Sequence, residues 1–103
     1  MKKVIKYDKN ALDELEKFSS KVRTSFLGLI NNLSEDGRLE YPDARKITGD
    51  MFEMRVISGG AFRGFYAYVY KNLIVILHFF QKKSQKTPIK NLKIAERRLK
   101  RYV

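Results

Sequence analysis

The stretch "LIVILHFF", Leu73 to Phe80, limits what this chain can become more than any other. It is short, rich in β-branched and aromatic residues, and apolar at odd and even positions alike. A strand of that kind has no face to offer water, so it must lie inside a sheet covered on both sides. The run then gives way within two residues to Lys82, Lys83 and Lys86, and it carries the chain's one histidine. His78 shares the alternation of Ile74, Ile76 and Phe80. It reads either as a hydrogen-bonded core histidine or as an acid or base at a site.

The flanking sequence supplies neighbours for such a strand. Before it, Phe52, Met54 and Val56 alternate with Glu53, Arg55 and Ile57. After Ser58-Gly59-Gly60, Phe62, Tyr66, Tyr68 and Tyr70 stand opposite in parity to Arg63, Phe65 and Val69, so a hairpin around the glycines is expected. Lys71-Asn72 is a second tight turn. The three tyrosines share a strand face and read as core and rim packing. Val4 to Tyr7 suits an edge or first strand. Leu15, Phe18, Val22, Phe26, Leu29 and Leu33 step by three and four, one buried helical stripe that Ser19-Ser20 divides into two helices. Asn10 is the expected cap at its start and Gly37 at its end. Thr87 as cap and Pro88 as first helical residue open a last helix with Leu92, Ala95, Leu99 and Tyr102 or Val103 inward. The expected fold is α+β: a small antiparallel sheet of three consecutive strands, an N-terminal helical hairpin and a C-terminal helix, all in one domain spanning residues 1–103.

Charge narrows the partners. The 22 Lys and Arg residues outnumber the 11 Asp and Glu by enough to give a net charge of +11. A field of that size destabilises a compact chain unless an anionic partner relieves it, and nucleic acid is the foremost such partner. The field also has a side. Ten acidic residues precede Met54 and only Glu96 follows it, whereas Arg55, Arg63, Lys71, Lys82, Lys83, Lys86, Lys90, Lys93, Arg97, Arg98, Lys100 and Arg101 all lie beyond. The basic N-terminus is not followed by the apolar stretch of a signal peptide, no segment approaches a membrane span, and cysteine is absent. A cytoplasmic location with no membrane partner is therefore expected.

Several chemistries are disfavoured by residue type. One histidine and no cysteine do not make a zinc site, and the basic half offers only Glu53 and Glu96 for Mg²⁺. There is no phosphate-cradling GxxxxGK[ST] loop and no GxSxG elbow. What remains is a sheet bearing Arg55, Arg63, His78 and lysines among aromatic residues. Such cations hold a phosphate and neutralise charge that develops on it. RNA brings its own nucleophile, the 2′-hydroxyl, so no metal or small-molecule cofactor is needed. Clustered cations also bring a lysine nearer to acting as a base. Composition alone favours simple RNA binding over catalysis.

"EMRVISGGAFRGFY" (53 to 66) followed by "IVILHFFQKKSQKTP" (74 to 88) resembles the RelE/HigB-type toxins of bacterial toxin–antitoxin modules, in the branch labelled phage-derived. Members there read close to ELRxxSGGxxYRVFY and LLHxFxKKxQKTP. The two motifs occur at the right separation, and the order of elements extends the likeness to nearly the whole chain. The resemblance implies a metal-independent mRNA endoribonuclease acting on translated message within the ribosome and neutralised by a cognate antitoxin. It also implies a RelE-like fold. Arg55 matches the arginine of the first motif, Arg63 the one after the glycine turn and the ligand of the scissile phosphate. Lys82, Lys83 and Lys86 match the basic set after the central strand, one as base or leaving-group partner and the others on phosphate, with His78 beside them. Phe80 and, on the last helix, Lys90, Lys93 and Arg97 are expected RNA contacts, the helix toward ribosomal RNA or antitoxin.

The sequence departs from the pattern twice. Better-studied toxins of the superfamily carry a tyrosine near the end, and here Ser84 to Thr87 hold no aromatic residue, so its role would pass to Phe79, Phe80 or Tyr102. Gly64 stands where an apolar β-former is usual and is expected to weaken its strand slightly. Two rivals accompany this reading: a same-fold toxin that poisons DNA gyrase, and a non-catalytic RNA-binding module.

Overall fold

A computed structural model of the chain describes residues 2–86 and 88–103. In chain order it contains β1 (Val4–Tyr7), α1 (Lys9–Glu16), α2 (Ser20–Asp36), β2 (Ala44–Thr48), β3 (Met51–Ile57), β4 (Ala61–Tyr70), β5 (Leu73–Lys82) and α3 (Ile89–Leu99). The strands form one five-stranded sheet in the order β1-β5-β4-β3-β2. The α+β class, the helical hairpin and the C-terminal helix are as expected. The sheet is mixed: β1 runs parallel to β5, because α1, α2 and three strands intervene before the chain returns beside it. The short strand β2 was not anticipated. "ARKIT" exposes most of its side chains, so it lacks the apolar signal of a strand and forms as the edge partner of β3.

β5 is interior, between β1 and β4, with helices on both faces. On one face Ile74, Ile76 and Phe79 pack with Ala11 and Leu15 of α1 and Val22, Phe26, Ile30 and Leu33 of α2. On the other, Val75, Leu77 and Phe80 pack with Phe65, Ala67 and Ala95 of α3. Alternation breaks at a bulge: Phe65 pairs with His78 but Tyr66 pairs with Ile76, leaving Leu77 extra on β5. Beyond that bulge the faces exchange parity, so His78 stacks on Phe80 (centroids 5.4 Å, planes 18° apart) instead of following Ile76.

Local signals explain the ends. α1 is capped by Asp8, whose carboxylate accepts from the Asn10 amide at 2.9 Å; Asn10 lies inside the helix because β1 ends at Tyr7 and the chain turns at once. Ser19 caps α2, and Gly37 closes it at φ 81°, a left-handed conformation suited to glycine. Gly59 (φ 68°) and Gly60 (φ 159°) make the β3–β4 turn. Pro88 stands at the N-cap of α3, so the helix begins at Ile89, one residue later than expected; the expected cap at Thr87 lies outside the described residues.

Candidate functional site

α3 shields only part of its sheet face. Toward the β3–β4 turn, cross-strand register places cations side by side on the remainder, since directly opposed residues share a face. Arg63 stands opposite Arg55 on one side and Phe80 on the other, Lys82 opposite Ala61, and Arg45 opposite Glu53. An open groove of about 430 Å³ is lined by Ala61, Arg63, Lys82, Lys83, Ser84 and Gln85. Three of the expected catalytic residues, Arg63, Lys82 and Lys83, thus meet in one concavity.

Arg63 forms the groove's buried floor, with 4% of its side chain exposed, while Lys83 is exposed and Lys82 half-buried. Its Nη1 donates to the Phe62 carbonyl at 3.0 Å, and its Nε lies 3.6 Å from Glu53 Oε1. Burial pulls the Arg63 pKa below the ordinary value; Glu53 opposes this, and Arg55 and Arg45 add to it. Even so, a guanidinium keeps its charge at neutral pH. It therefore presents a fixed cation to the groove, with the two lysines as movable ones above it.

The other expected residues are placed elsewhere. Arg55 is half-buried, its guanidinium 5.9 Å from the Tyr41 ring, and it borders a second concavity of about 390 Å³ along α2. Lys86 is exposed in the loop, outside the groove lining, its carbonyl accepting from Ser84 Oγ. Lys90, Lys93 and Arg97 run along the outer face of α3 beside Ile89 and Ile94, apart from the groove. Two expectations are corrected. Phe80 is 8% exposed, its ring held against His78 and Phe65, so it offers no face for a base to stack on. His78 is 5% exposed and both ring nitrogens are engaged, Nδ1 with Glu14 Oε1 at 2.9 Å and Nε2 with Asn91 Oδ1 at 2.6 Å. It is the core histidine of the two readings and does not line the groove. Nor does an aromatic substitute for the missing tyrosine stand free: Phe79 is buried, and the Tyr102 hydroxyl donates to Asp8 at 2.8 Å.

A polar network unseen in the sequence holds His78. β1 stops beside Ile76, and past that point side chains replace the missing strand neighbour: the Phe79 amide donates to Glu14 Oε1 (3.1 Å) and Arg98 Nη1 to the Leu77 carbonyl (2.9 Å). Arg98 also grips both Glu14 oxygens at 2.9 Å. Burial alone would raise the Glu14 pKa, but the hydrogen bonds from His78, Arg98 and the Phe79 amide outweigh it and hold the group at about 2. Arg101 adds a bond to buried Asp8 at 3.0 Å. Glu14 and Asp8 lie 64 to 93 positions from His78, Arg98 and Arg101, so no local pattern announces these ties. Among the described residues, no cluster of three or more His, Cys, Asp or Glu side chains could hold a metal ion, and no helix is long and apolar enough to cross a membrane.

Comparison with known proteins decides the family. Residues 13–100 match the family described as phage-derived protein Gp49-like (DUF891). The chain belongs to this Gp49-like family. No curated protein matches. Among solved structures, the free Escherichia coli toxin RelE in a form with two arginines changed to alanine is similar over 100% of both chains, at 18% identity and a TM-score of 0.70. The intact E. coli RelBE toxin–antitoxin complex matches over 80% of this chain and 99% of that one, at 20% identity and 0.65. The Mycobacterium tuberculosis toxin–antitoxin complex RelBE2 matches over 80% and 100%, at 15% and 0.60. The Gp49-like chain thus has the RelE fold, and the expected membership of a phage-derived family holds.

Proposed function

We propose that this protein is the toxin of a toxin–antitoxin pair and a ribosome-linked endoribonuclease that cuts mRNA without a metal ion. The observation that carries the reading is the groove in which Arg63, Lys82 and Lys83 converge at the open end of a RelE-type sheet. Family membership and the RelE fold support it. In the proposed reaction the 2′-oxygen attacks the adjacent phosphorus, the P–O5′ bond breaks, and the products end in a 2′,3′-cyclic phosphate and a 5′-hydroxyl. Arg63 binds the non-bridging oxygens as negative charge gathers on them. One groove lysine, in its neutral form, takes the 2′-hydroxyl proton, and the other, as ammonium, donates to the leaving 5′-oxygen. Arg55 and Lys86 bind flanking phosphates. The exposed Lys90, Lys93 and Arg97 row meets ribosomal RNA or the antitoxin, a partner suggested by the toxin–antitoxin complexes that share the fold. Cytoplasmic action follows from that target.

Expressing the chain in bacteria and mapping 5′ ends of message within minutes tests this reading. New cuts inside translated frames, lost in Lys82→Ala/Lys83→Ala and Arg63→Ala chains that retain native circular dichroism, are expected. Full cleavage by those variants would sink the residue assignment. Growth arrest with intact message would point to gyrase, and bound but uncut RNA to a non-catalytic module.

A further inference from the structure

Arg63 and Arg45 share one carboxylate oxygen. Glu53 Oε1 lies 3.6 Å from Arg63 Nε and 3.3 Å from Arg45 Nε, while Glu53 itself is fully buried. Its Oε2 has no hydrogen-bond partner among the described residues, and neither has Arg63 Nε. Unpaired polar atoms in such a place are costly, and two arginines, Arg45 and Arg63, share this single anion while Arg55 stands opposite Arg63 on the neighbouring strand. The cluster keeps a surplus of positive charge on the open face. Arg45 differs from Arg63 in one useful respect: it lies on the edge strand β2 with 46% of its side chain exposed, so its remaining donors are free to meet a ligand.

We propose that Arg45 is a second RNA-phosphate-binding residue beside the Arg63 groove, and that Glu53 is the positioning residue that holds both guanidiniums in place; this rests on the RNA-cleaving reading above. Register supports it. Lys82 on β5, Arg63 on β4, Arg55 on β3 and Arg45 on β2 occupy the same sheet face, one per strand. Adjacent strands are about 4.8 Å apart, so the row crosses the sheet over about 14 Å, enough for two or more successive phosphates. A single RNA strand laid across the strands from β5 toward β2 meets a cation at each step. Glu53 Oε1 accepts from Arg45 Nε at 3.3 Å and lies 3.6 Å from Arg63 Nε, so one buried anion attracts both guanidiniums.

The test measures affinity for a short RNA blocked by 2′-O-methyl groups, as a function of salt. Arg45→Ala is compared with Lys46→Ala, which removes the same charge from the same strand but from the opposite sheet face, where Lys46 pairs with Phe52. Arg45→Ala is expected to weaken binding and flatten the slope of log affinity against log salt by about 0.7, the contribution of one phosphate contact on single-stranded RNA. Lys46→Ala is expected to leave that slope unchanged. Glu53→Gln separates positioning from charge: removing an anion alone would tighten RNA binding, whereas loss of positioning weakens it. Weaker binding by Glu53→Gln, less than additive with Arg45→Ala, is expected. Equal slopes for Arg45→Ala and Lys46→Ala would overturn the role of Arg45 and leave cleavage standing. Tighter binding by Glu53→Gln would overturn its positioning role. If the unsubstituted chain shows no salt-dependent RNA binding, the functional reading falls, and this one with it.

Discussion

Acid should loosen this fold at one identifiable place, Glu14. Its carboxylate joins α1 to β5 and α3 through His78, the Phe79 amide and both nitrogens of the Arg98 fork. Held at about 2 against an ordinary 4.5, it prefers its ionised form in the folded chain. A depressed carboxylate pKa gives stability that is complete above the unfolded value and is lost as pH falls through the folded one, so the window runs from about pH 5 down to about pH 2. At 1.36 kcal/mol per pKa unit, the contribution is about 3 kcal/mol. The side chain is 25% exposed, which keeps this near an upper bound. Urea unfolding followed by circular dichroism at a series of pH values, for the natural chain and Glu14→Gln, measures it. The gap between the two should be widest near pH 6 and shrink by about 3 kcal/mol toward pH 2, because protonation makes the carboxyl as neutral as the amide. A gap that stays constant from pH 6 to pH 3 would refute the reasoning.

Three further outcomes are expected from the same structure. Gly64→Ala should destabilise: its Cβ would lie 2.9 and 3.0 Å from Phe79 ring carbons and 3.2 Å from Met54 Cγ. Because the Phe79 ring is wedged between Phe26 and Phe18, overpacking of about 1–3 kcal/mol outweighs the ~0.5–1 kcal/mol that replacing glycine usually gains; a raised melting temperature would contradict this. His78→Ala should cost about 2–4 kcal/mol by stranding Glu14 and Asn91, yet leave the cleavage rate of the folded fraction unchanged, which single-turnover kinetics on refolded protein would check. Tyr66→Phe should be neutral or stabilising by about 1 kcal/mol, because the buried hydroxyl it removes has no partner among the described residues; a clear loss in urea unfolding would show that the hydroxyl is satisfied.

How much of this was legible depended on whether a feature is local. The two-faced run Leu73–Phe80, the glycine hairpin and the helical stripe from Leu15 to Leu33 all obey short-range periodicity, and each folded as its pattern implies. The groove could be assembled because Arg63 and the Lys82-Lys83 pair fall at the ends of adjacent strands. β2 was invisible, since an edge strand needs few apolar residues. Gly64 was misread as a weak point of β4; it makes room for the Phe79 ring, a neighbour fixed by register and not by sequence. The role of His78 turned on a one-residue bulge, which reverses every parity argument beyond it. The ties among Asp8, Glu14, Arg98 and Arg101 carry no local signal, because their partners come from opposite ends of the chain.

The cations that folding explains and those it does not are therefore separable. Arg98 and Arg101 are matched by Asp8 and Glu14, and they fasten α3 to the start of α1. Arg55 and Arg63 stand directly opposite each other in a register that like charges destabilise, with one buried carboxylate for them and Arg45 together. Stability alone would favour replacing one of them with a neutral residue. An arrangement that costs stability, opens onto a groove and adds Lys82 and Lys83 at its rim makes sense when a polyanion supplies the missing negative charge. It follows that RNA, or an acidic segment of an antitoxin seated in the groove, should raise the melting temperature, and that neutralising Arg55 should reduce that gain while raising the melting temperature of the free protein.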